Sequence, residues 1–235
     1  MKNLVVITGG TKGIGRALVN RFAGEGFAIA TCSRDQEDLN ALKVEINQAF
    51  PLVKLYVLKA DLSNRNEVNE FATMVKQTSI PVDVLVNNTG TFVPGQVHQE
   101  DEGVLEQMIN TNLYSAYHLT RALVHGMIDR KQGHIFNMCS TASITPYVNG
   151  GSYCISKFAL LGMSKVLREE LKELGIKVTS ILPGATYTAS WEGTELPKDR
   201  FMKAEDIAEA VFAAYQLSDT TVLEELILRP QLGDL

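Results

Sequence analysis

Short apolar runs alternate with longer stretches in which apolar residues recur every three or four positions, from one end of the chain to the other. The short runs are rich in Val, Ile and Leu, which is typical of parallel strands covered by helices on both faces. They predict seven strands, near residues 3–8, 28–32, 53–59, 82–86, 133–138, 176–182 and 222–228. The longer stretches predict six helical regions, near residues 13–25, 36–49, 64–78, 101–129, 153–174 and 205–217. This alternation predicts repeated βαβ units, and therefore an α/β domain with a seven-stranded parallel sheet and helices on both faces.

The fifth helical region carries apolar residues at the spacing of one helix face. The members of this face are Phe158, Leu161, Val166, Leu167, Leu171 and Leu174. Gly175 follows directly, and glycine at this position is a common helix stop. The pattern therefore predicts an amphipathic helix with this face apolar.

The longest irregular stretch covers residues 183–204, between the sixth predicted strand and the last predicted helix. It contains two prolines, two glycines and the aromatic residue Trp191. Loops of this length in compact domains are often functional, although a tolerated surface insertion is the alternative. We therefore expect a substrate loop near residues 185–204, within a single domain that spans residues 1–235.

The charge balance restricts the classes of partner. Lys and Arg total 22 against 27 Asp and Glu, so the formal net charge is −5. A negative chain is a poor binder of nucleic acid and of anionic membranes, although a local basic pocket is still able to hold a phosphate. We expect neither nucleic acid nor a membrane as a partner.

Cysteine and histidine usage argues against metal sites and disulfides. The three cysteines, Cys32, Cys139 and Cys154, are an odd number without a C-x-x-C pair, which fits a reducing cytoplasm. The four histidines lack the i, i+4 spacing of a helical metal site, so no metal is predicted. The first apolar run is only about five residues long, which is too short for a signal peptide or a membrane span. The sequence therefore predicts a cytoplasmic protein.

The first predicted strand runs directly into a glycine-rich turn, TGGTKGIG at residues 8–15, which opens the first predicted helix. Glycines let a phosphate approach the backbone closely, and the free N–H groups at a helix start favour its negative charge. The spacing is neither the G-x-G-x-x-G of most dinucleotide-binding folds nor that of a P-loop. Strand, glycine turn and helix in this order predict a doubly wound, Rossmann-type domain that binds a dinucleotide, with a merely structural turn as the alternative.

Residues near the end of the second predicted strand indicate which dinucleotide is bound. NAD-dependent enzymes place Asp or Glu there, about twenty residues after the glycine loop, to bind the ribose 2′-OH. Ser33 and Arg34 occupy this place instead, and Lys12 adds a second cation from the glycine turn. A guanidinium fork suits a 2′-phosphate. These residues predict NADP(H), unless Arg34 and Lys12 are only solvated surface charges.

Tyr153 and Lys157 stand four residues apart in the fifth helical region, so their side chains share one helix face. An isolated phenol has a pKa of about 10 and is a slow proton donor at neutral pH. A neighbouring ammonium stabilises the phenolate and lowers that pKa. The pair is therefore a candidate acid–base centre, although a lone Y-x-x-x-K pattern often arises by chance.

The motifs, taken together and in this order, resemble those of the short-chain dehydrogenase/reductase family. The family pattern T-G-x-x-x-G-x-G is matched at residues 8–15, and further family motifs follow along nearly the whole chain. These are Asp61-Leu62, Asn87-Asn88-Thr89-Gly90, Asn112, Ser140, Tyr153, Lys157, and Pro183-Gly184 with Thr188. Thr89 is a departure, since the family usually has Ala there. The C-terminal run from Leu226 resembles bacterial sepiapterin-reductase-like members.

The resemblance implies a role for each matched position. It implies four catalytic residues: Asn112, Ser140, Tyr153 and Lys157. It implies cofactor contacts from Gly9, Thr11, Lys12, Gly13, Ile14, Gly15, Ser33, Arg34, Asp61, Leu62, Asn88, Thr89, Gly90, Tyr153, Lys157, Pro183, Gly184, Thr186 and Thr188. The residues that flank the inferred carbonyl site, and are expected to contact substrate, are Ser140, Thr141, Tyr147, Tyr187 and Trp191.

The implied reaction is NADPH-dependent reduction of a ketone or dicarbonyl compound, with Tyr153 as proton donor and Ser140 holding the carbonyl oxygen. Aromatic and small polar side chains suit a small, flat substrate such as a pterin with a carbonyl side chain. A 3-oxoacyl thioester reductase is the alternative enzyme, and an inactive NADP-binding sensor or scaffold is the alternative of another class. The resemblance further implies a homodimer or homotetramer.

Overall fold

A computed structural model describes residues 2–188, 191 and 193–235. In these residues, seven parallel strands form one sheet in the order β3-β2-β1-β4-β5-β6-β7. The strands are β1 (Lys2–Thr8), β2 (Phe27–Ser33), β3 (Leu55–Lys59), β4 (Val82–Asn87), β5 (Gly133–Met138), β6 (Ile176–Pro183) and β7 (Glu225–Leu228). The predicted seven-stranded, doubly wound sheet is therefore confirmed. Two strands begin later than predicted, β3 by two residues and β7 by three.

The α-helices of the described residues are α1 (Gly13–Gly24), α2 (Gln36–Ala49), α3 (Arg65–Gln77), α4 (Val104–Ile109), α5 (Ser115–Arg130), α6 (Gly151–Leu171) and α7 (Ala204–Tyr215). The fourth predicted region is thus two helices, α4 and α5, joined by a π-helical turn at Asn110–Tyr114. Gly103 precedes α4 with a φ of 89°, a left-handed conformation that delays the start of the helix to Val104. Among these helices, none has the length and apolar character of a membrane span.

The two faces of the sheet are covered by different helices. In β1, Val5 and Ile7 belong to a buried cluster with residues of α1, α2 and α7. Leu4 and Val6 belong to a second cluster, with residues of α3 and α5. Because successive strand residues point to opposite faces, both sets must be apolar. This explains why the strands appear in the sequence as continuous apolar runs.

The fifth predicted helix departs from its expected apolar face. Leu161 is buried, but Phe158 and Val166 are 44% and 55% exposed. Part of the buried side is polar, since it includes Lys157 and Ser164. These groups have hydrogen-bond partners inside the protein, the Met138 carbonyl for Lys157 and the Ser180 hydroxyl for Ser164. Apolar periodicity alone therefore predicts the wrong buried side for part of α6.

The strand order places a topological switch point between β1 and β4. These strands are neighbours in the sheet, with Ile7 beside Val86, although two βα units separate them along the chain. The connections leave the sheet in opposite directions on either side of this point, which opens a crevice at the carboxyl ends of the two strands. The glycine turn that follows β1 and the N-N-T-G turn that follows β4 meet in this crevice.

Candidate active site

A cleft of about 1350 Å³ occupies this crevice and extends along the carboxyl edge of the sheet. All of the residues for which cofactor contacts are expected line it: Gly9, Thr11, Lys12, Gly13, Ile14, Gly15, Ser33, Arg34, Asp61, Leu62, Asn88, Thr89, Gly90, Tyr153, Lys157, Pro183, Gly184, Thr186 and Thr188. Motifs that are scattered along the chain therefore share one cavity, because parallel strands end at the same edge of the sheet.

The ends of β1 and β4 are joined by a small hydrogen-bond cluster. The Thr8 hydroxyl accepts from the backbone N–H groups of Asn88 and Thr89, at 2.9 and 2.8 Å. The Asn88 side-chain amide donates to the Thr8 carbonyl at 2.8 Å. A Cβ added at Gly15 would lie 2.1 Å from the Gly9 carbonyl oxygen. The glycine turn is therefore pressed against the first turn of α1, with its backbone lining the cleft.

Cations gather where the carboxyl ends of β2 and β3 meet the glycine turn. Arg34 is exposed and lines the cleft. Lys12 lines it too, and its ammonium forms an ion pair with Asp38 at 2.8 Å. Lys59, at the end of β3, is a third cation of the cleft that the sequence reasoning did not identify. The sequence offers one signal for Lys59. It is the last residue of the third predicted strand, two positions before Asp61, and strand ends at this edge of the sheet line the cleft.

Acidic residues at the start of α2 lie beside these cations. Asp35 caps α2 by accepting from the backbone N–H groups of Glu37 and Asp38, at 2.7 and 3.2 Å. These hydrogen bonds lower the pKa of Asp35, and the charges of Lys12 and Lys59 lower it further. The Asp35 carboxylate is therefore engaged by its own helix.

Tyr153 and Lys157 face the cleft from the first two turns of α6. The ammonium of Lys157 lies 5.8 Å from the centre of the Tyr153 ring. Lys157 is 5% exposed and donates to the Met138 carbonyl at 2.8 Å. The Tyr153 ring packs edge-on against Phe92, with ring centres 5.0 Å apart. Both side chains are thus held by defined neighbours at one place in the cleft.

Asn112 lies behind this pair, in the π-helical turn, and is 1% exposed. Its amide group donates to the Ser156 hydroxyl at 2.9 Å and to the Thr91 carbonyl at 3.0 Å, while its oxygen accepts from the Thr91 N–H at 2.8 Å. A Cβ added at Gly90 would lie 3.3 Å from the Asn112 oxygen and 3.4 Å from the Lys157 nitrogen. Gly90 therefore keeps the space between the amide and the ammonium open. π-Helical turns often occur at functional sites.

Ser140 follows β5 and lines the cleft. Its backbone N–H donates to the Ser143 hydroxyl at 3.2 Å, and its own hydroxyl accepts from the Ala142 N–H at 3.1 Å. Among the described residues, the acceptor for its hydroxyl proton is the Pro183 carbonyl at 3.5 Å, which is a long and therefore weak hydrogen bond. A ligand oxygen in the cleft would therefore be a better acceptor for it.

The residues expected to contact substrate are not all in the cleft. Thr141, Tyr147 and Trp191 line it together with Ser140, whereas Tyr187 is not among its lining residues. The Tyr187 N–H donates to the Met202 carbonyl at 3.0 Å, and its ring packs against Phe201 at 5.7 Å between ring centres. The short bridge at Thr186 and Met202 thus places the Tyr187 ring on Phe201. Tyr187 therefore lies outside the cleft lining, and its contact with substrate stays a prediction.

Residues from which no contact was expected also line the cleft, among them Phe92, Thr145, Asp234 and Leu235. Asp234 forms an ion pair with Arg229, and its carboxylate packs over Gly184, where an added Cβ would be 2.8 Å from Asp234 Oδ1. Phe92 comes two residues after the N-N-T-G turn, which is a weak signal. The return of the C-terminal segment to the cleft has no signal in the sequence.

Burial decides the protonation of two other groups at the cleft. It raises the pKa of the Cys139 thiol to about 11, so this cysteine is a protonated thiol at neutral pH and a poor nucleophile. Burial also raises the pKa of Tyr147, and the neighbouring Tyr153 raises it further. Tyr147 therefore offers a hydrogen-bond donor rather than a base. In the part of the chain that the structure describes, no cluster of three or more His, Cys, Asp or Glu side chains could hold a metal ion.

Comparison with known proteins adds independent findings. A family model described as short chain dehydrogenase matches residues 3–198. The chain is 32% identical over 243 residues to sepiapterin reductase from Chlorobaculum tepidum, covering 100% of this chain and 99% of the relative. It is 32% identical over 210 residues to the NADP-dependent 3-hydroxy acid dehydrogenase YdfG of Escherichia coli, covering 89% and 81%. The solved alcohol dehydrogenase from the archaeon Thermococcus sibiricus, complexed with 5-hydroxy-NADP, superposes with a TM-score of 0.90 at 26% identity, covering 99% and 98%.

Proposed function

The chain belongs to the short-chain dehydrogenase/reductase family, and from this premise we propose that it reduces a ketone or dicarbonyl group of a small molecule. The observation that carries the proposal is the convergence of Ser140, Tyr153 and Lys157 on the cleft that also contains the glycine turn. An acid, a hydrogen-bond donor and a nucleotide-binding turn in one cavity are the parts that carbonyl reduction needs.

This oxidoreductase uses NADP(H). The glycine turn suits a pyrophosphate, since Gly9, Gly13 and Gly15 line the cleft at the start of α1 without side chains that would keep a phosphate away. Arg34, Lys12 and Lys59 form a cationic end of the cleft that suits a 2′-phosphate. When bound, the cofactor supplies the hydride for reduction.

We propose that Tyr153 and Ser140 act on the carbonyl oxygen. The Ser140 hydroxyl donates a hydrogen bond to this oxygen, and the Tyr153 phenol transfers its proton there as the carbonyl carbon gains a hydride, which gives an alcohol. The Lys157 ammonium has two N–H groups beyond the one on the Met138 carbonyl, and its charge stabilises the phenolate left behind. Proton transfer of this kind contributes about 10²–10⁴-fold to a rate.

The lining of the cleft favours a compact or flat substrate. Phe92, Tyr147 and Trp191 supply aromatic faces, and Thr141 and Thr145 supply hydroxyl groups. Such a mixture suits a flat heterocycle or a small dicarbonyl compound. The relative from Chlorobaculum tepidum is a sepiapterin reductase, which supports a pterin with a carbonyl side chain as one member of this class.

The proposal is tested by following NADPH oxidation with three probes: isatin, sepiapterin and an acetoacetyl thioester. We expect turnover of isatin or sepiapterin, and we expect Tyr153→Phe to lower kcat by about 100-fold or more while the NADPH Kd stays within about twofold. Tyr56→Phe, at a tyrosine of β3 outside the cleft lining, is the matched control and should behave as the wild type.

Each other result points to a different function. Exclusive turnover of the thioester would favour a 3-oxoacyl thioester reductase. Tight NADPH binding without turnover of any probe would favour a sensor or scaffold. Wild-type kcat in Tyr153→Phe would remove this phenol from the mechanism.

We further propose a homodimer or homotetramer as the working assembly. Three large side chains on two helices are at least 40% exposed: Tyr117 on α5, and Ile155 and Phe158 on α6. Exposed apolar surface of this kind often marks an interface between protein chains. Sedimentation velocity checks this, since a single species of 25.8 kDa would contradict it.

The cytoplasmic location stays a prediction, which the three buried free thiols support.

A further inference from the structure

The helix that carries Tyr153 and Lys157 takes its N-terminal cap from a distant part of the chain. Gly150, at the N-cap position of α6, has no side chain to offer to the N–H groups of the first turn. The Glu100 carboxylate takes this place. The Ser152 backbone N–H donates to Glu100 Oε1 at 2.9 Å, and the Ser152 hydroxyl donates to Glu100 Oε2. A carboxylate here satisfies a free N–H group and opposes the positive end of the helix dipole.

The backbone on both sides of this contact is shaped to admit the carboxylate. A Cβ added at Gly151 would lie 2.1 Å from Glu100 Oε1, and one added at Gly95 would lie 2.6 Å from Glu100 Cγ. Gly95 and Gly150 form an isolated parallel bridge, and the Gly95 N–H donates to the Asn149 carbonyl at 3.0 Å. The segment that ends at Glu100 is therefore joined to the start of α6 by backbone and side-chain contacts together.

The contact between Glu100 and Ser152 lies between two parts of the chain that hold Tyr153 in place, the first turn of α6 and the segment from Phe92 to Glu100. Tyr153 directly follows Ser152, so its backbone belongs to the turn that Glu100 caps. Phe92, which packs edge-on against the Tyr153 ring, lies near the start of the segment that Glu100 ends. Glu100 thus connects the helix turn that carries the phenol to the segment that supports its ring.

We propose that Glu100 is a positioning residue for Tyr153, which fixes the first turn of α6 so that the phenol keeps its orientation in the cleft. The inference rests on the proposed function, because it assigns Glu100 a part in the proton-transfer step. Glu100 itself does not line the cleft. Its effect on the reaction would therefore pass through the first turns of α6, which carry Tyr153 and Lys157.

The test compares Glu100→Ala with Glu100→Gln. We expect Glu100→Ala to lower kcat for isatin by about tenfold or more, since misplacement of a reacting group by about 1 Å costs up to about 100-fold. The NADPH Kd should stay within about twofold, because the glycine turn and Arg34 do not contact Glu100. In Glu100→Gln the amide oxygen accepts from the Ser152 N–H and the amide nitrogen donates to the Ser152 hydroxyl, so most of kcat should return. Glu102→Ala, at an exposed carboxylate two residues after Glu100, is the matched control and should leave kcat unchanged.

Hydrogen exchange gives a second readout that needs no substrate. Amides of residues 150–157 should exchange faster in Glu100→Ala than in the wild type and in Glu102→Ala, while the rest of the protein is unchanged. If the wild type reduces no probe, the proposed function fails, and this exchange pattern still decides whether Glu100 holds the turn. Should Glu100→Ala fail to fold, Ser152→Ala removes one of the two contacts and should show the same changes at smaller size.

Two results would overturn the inference. One is wild-type kcat and wild-type exchange in Glu100→Ala. The other is a loss of kcat accompanied by an equal loss of NADPH affinity and by faster exchange throughout the protein, which would mean general destabilisation.

Discussion

At the scale of single residues, we expect the cations at the end of the cleft, Arg34, Lys12 and Lys59, to determine the preference between NADPH and NADH. Arg34 is the exposed cation that follows β2, and the structure gives it no acidic partner at hydrogen-bond distance among the described residues. Lys12 differs, because Asp38 forms an ion pair with it. An exposed ion pair of this kind is weak, so a phosphate dianion can compete for Lys12. We therefore expect Arg34 to contribute most to the discrimination between NADPH and NADH.

Replacing Arg34 by Asp should shift the cofactor preference from NADPH toward NADH. The change removes a partner of the 2′-phosphate and adds a carboxylate that repels it but accepts a hydrogen bond from a ribose 2′-OH. Loss of one charge-assisted contact alone predicts a fall of roughly tenfold to 100-fold in kcat/KM for NADPH, with a smaller change for NADH. Steady-state kinetics with both cofactors measure this.

Lys43→Asp is the matched control for this prediction. Lys43 lies on the exposed side of α2, outside the cleft lining, and carries the same change of net charge. Its cofactor preference should equal that of the wild type. A ratio that stays the same in Arg34→Asp would show that Arg34 is only a solvated charge.

Residues differ in how far the sequence could predict them, and the reason is the distance between partners along the chain. Tyr153 and Lys157 are one helical turn apart, so their proximity follows from helix geometry alone. Glu100 and Ser152 are separated by 52 positions, and no local pattern relates them. The C-terminal Asp234 reaches the cleft only because the chain turns back after β7. Local spacing therefore predicts the pair of Tyr153 and Lys157, but it does not predict Glu100 or Asp234, whose partners are distant in the sequence.

At the scale of elements, α1 and α6 each contain a glycine, but only the glycine in α1 is required by the packing around it. Gly15, in the first turn of α1, faces the Gly9 carbonyl so closely that no side chain fits. Gly162, in the middle of α6, has nothing within 4 Å of an added Cβ and is exposed. The first is needed by the turn, whereas the second only lowers the stability of its helix.

The same substitution should therefore have opposite effects at these two positions. Gly15→Ala forces the turn away from α1, and we expect loss of measurable NADPH binding together with a lower free energy of unfolding. Gly162→Ala should raise the free energy of unfolding by about 0.5–1 kcal/mol and leave the NADPH Kd unchanged. Cofactor titration and urea unfolding of both variants measure these effects. Retained binding in Gly15→Ala would contradict the steric role of this glycine.

Elements were predictable where one physical requirement dominated. Strands covered on both faces are almost wholly apolar, so short apolar runs predicted the strands. The two strands whose starts were misplaced, β3 and β7, are the edge strands and are only partly buried. The π-helical turn at Asn110–Tyr114 was not, because its residues continue the periodic pattern of α4 and α5. The buried side of α6 was misjudged for a related reason. Lys157 and Ser164 are buried there by virtue of hydrogen-bond partners on β5 and β6, which only the folded sheet supplies.

At the scale of the whole molecule, the interior of the sheet contains one ionisable ring without a charge. His134 lies on β5 and is 2% exposed. The Thr179 hydroxyl of β6 donates to the Leu223 carbonyl at 2.6 Å, so the contact of 2.7 Å between Thr179 Oγ1 and His134 Nε2 requires the ring to donate. His134 Nδ1 then carries no proton, and no described residue forms a hydrogen bond with it. Burial lowers the pKa of His134 to about 3, and the charge of Lys177 lowers it further.

This histidine should make the fold less stable as the pH falls. Its pKa is depressed in the folded state and about 6.5 in the unfolded state, so only the unfolded chain gains the proton between these values. The contribution is fully present above about pH 6.5 and is lost as the pH falls toward 3. His134→Gln keeps a donor for Thr179 and does not titrate. The stability advantage of the wild type over this variant should therefore shrink by about 2 kcal/mol between pH 7 and pH 5. Urea unfolding of both proteins at several pH values measures the difference, from which the common titration of the carboxylates cancels. Parallel pH profiles would show that the ring is charged, or solvated, inside the folded sheet.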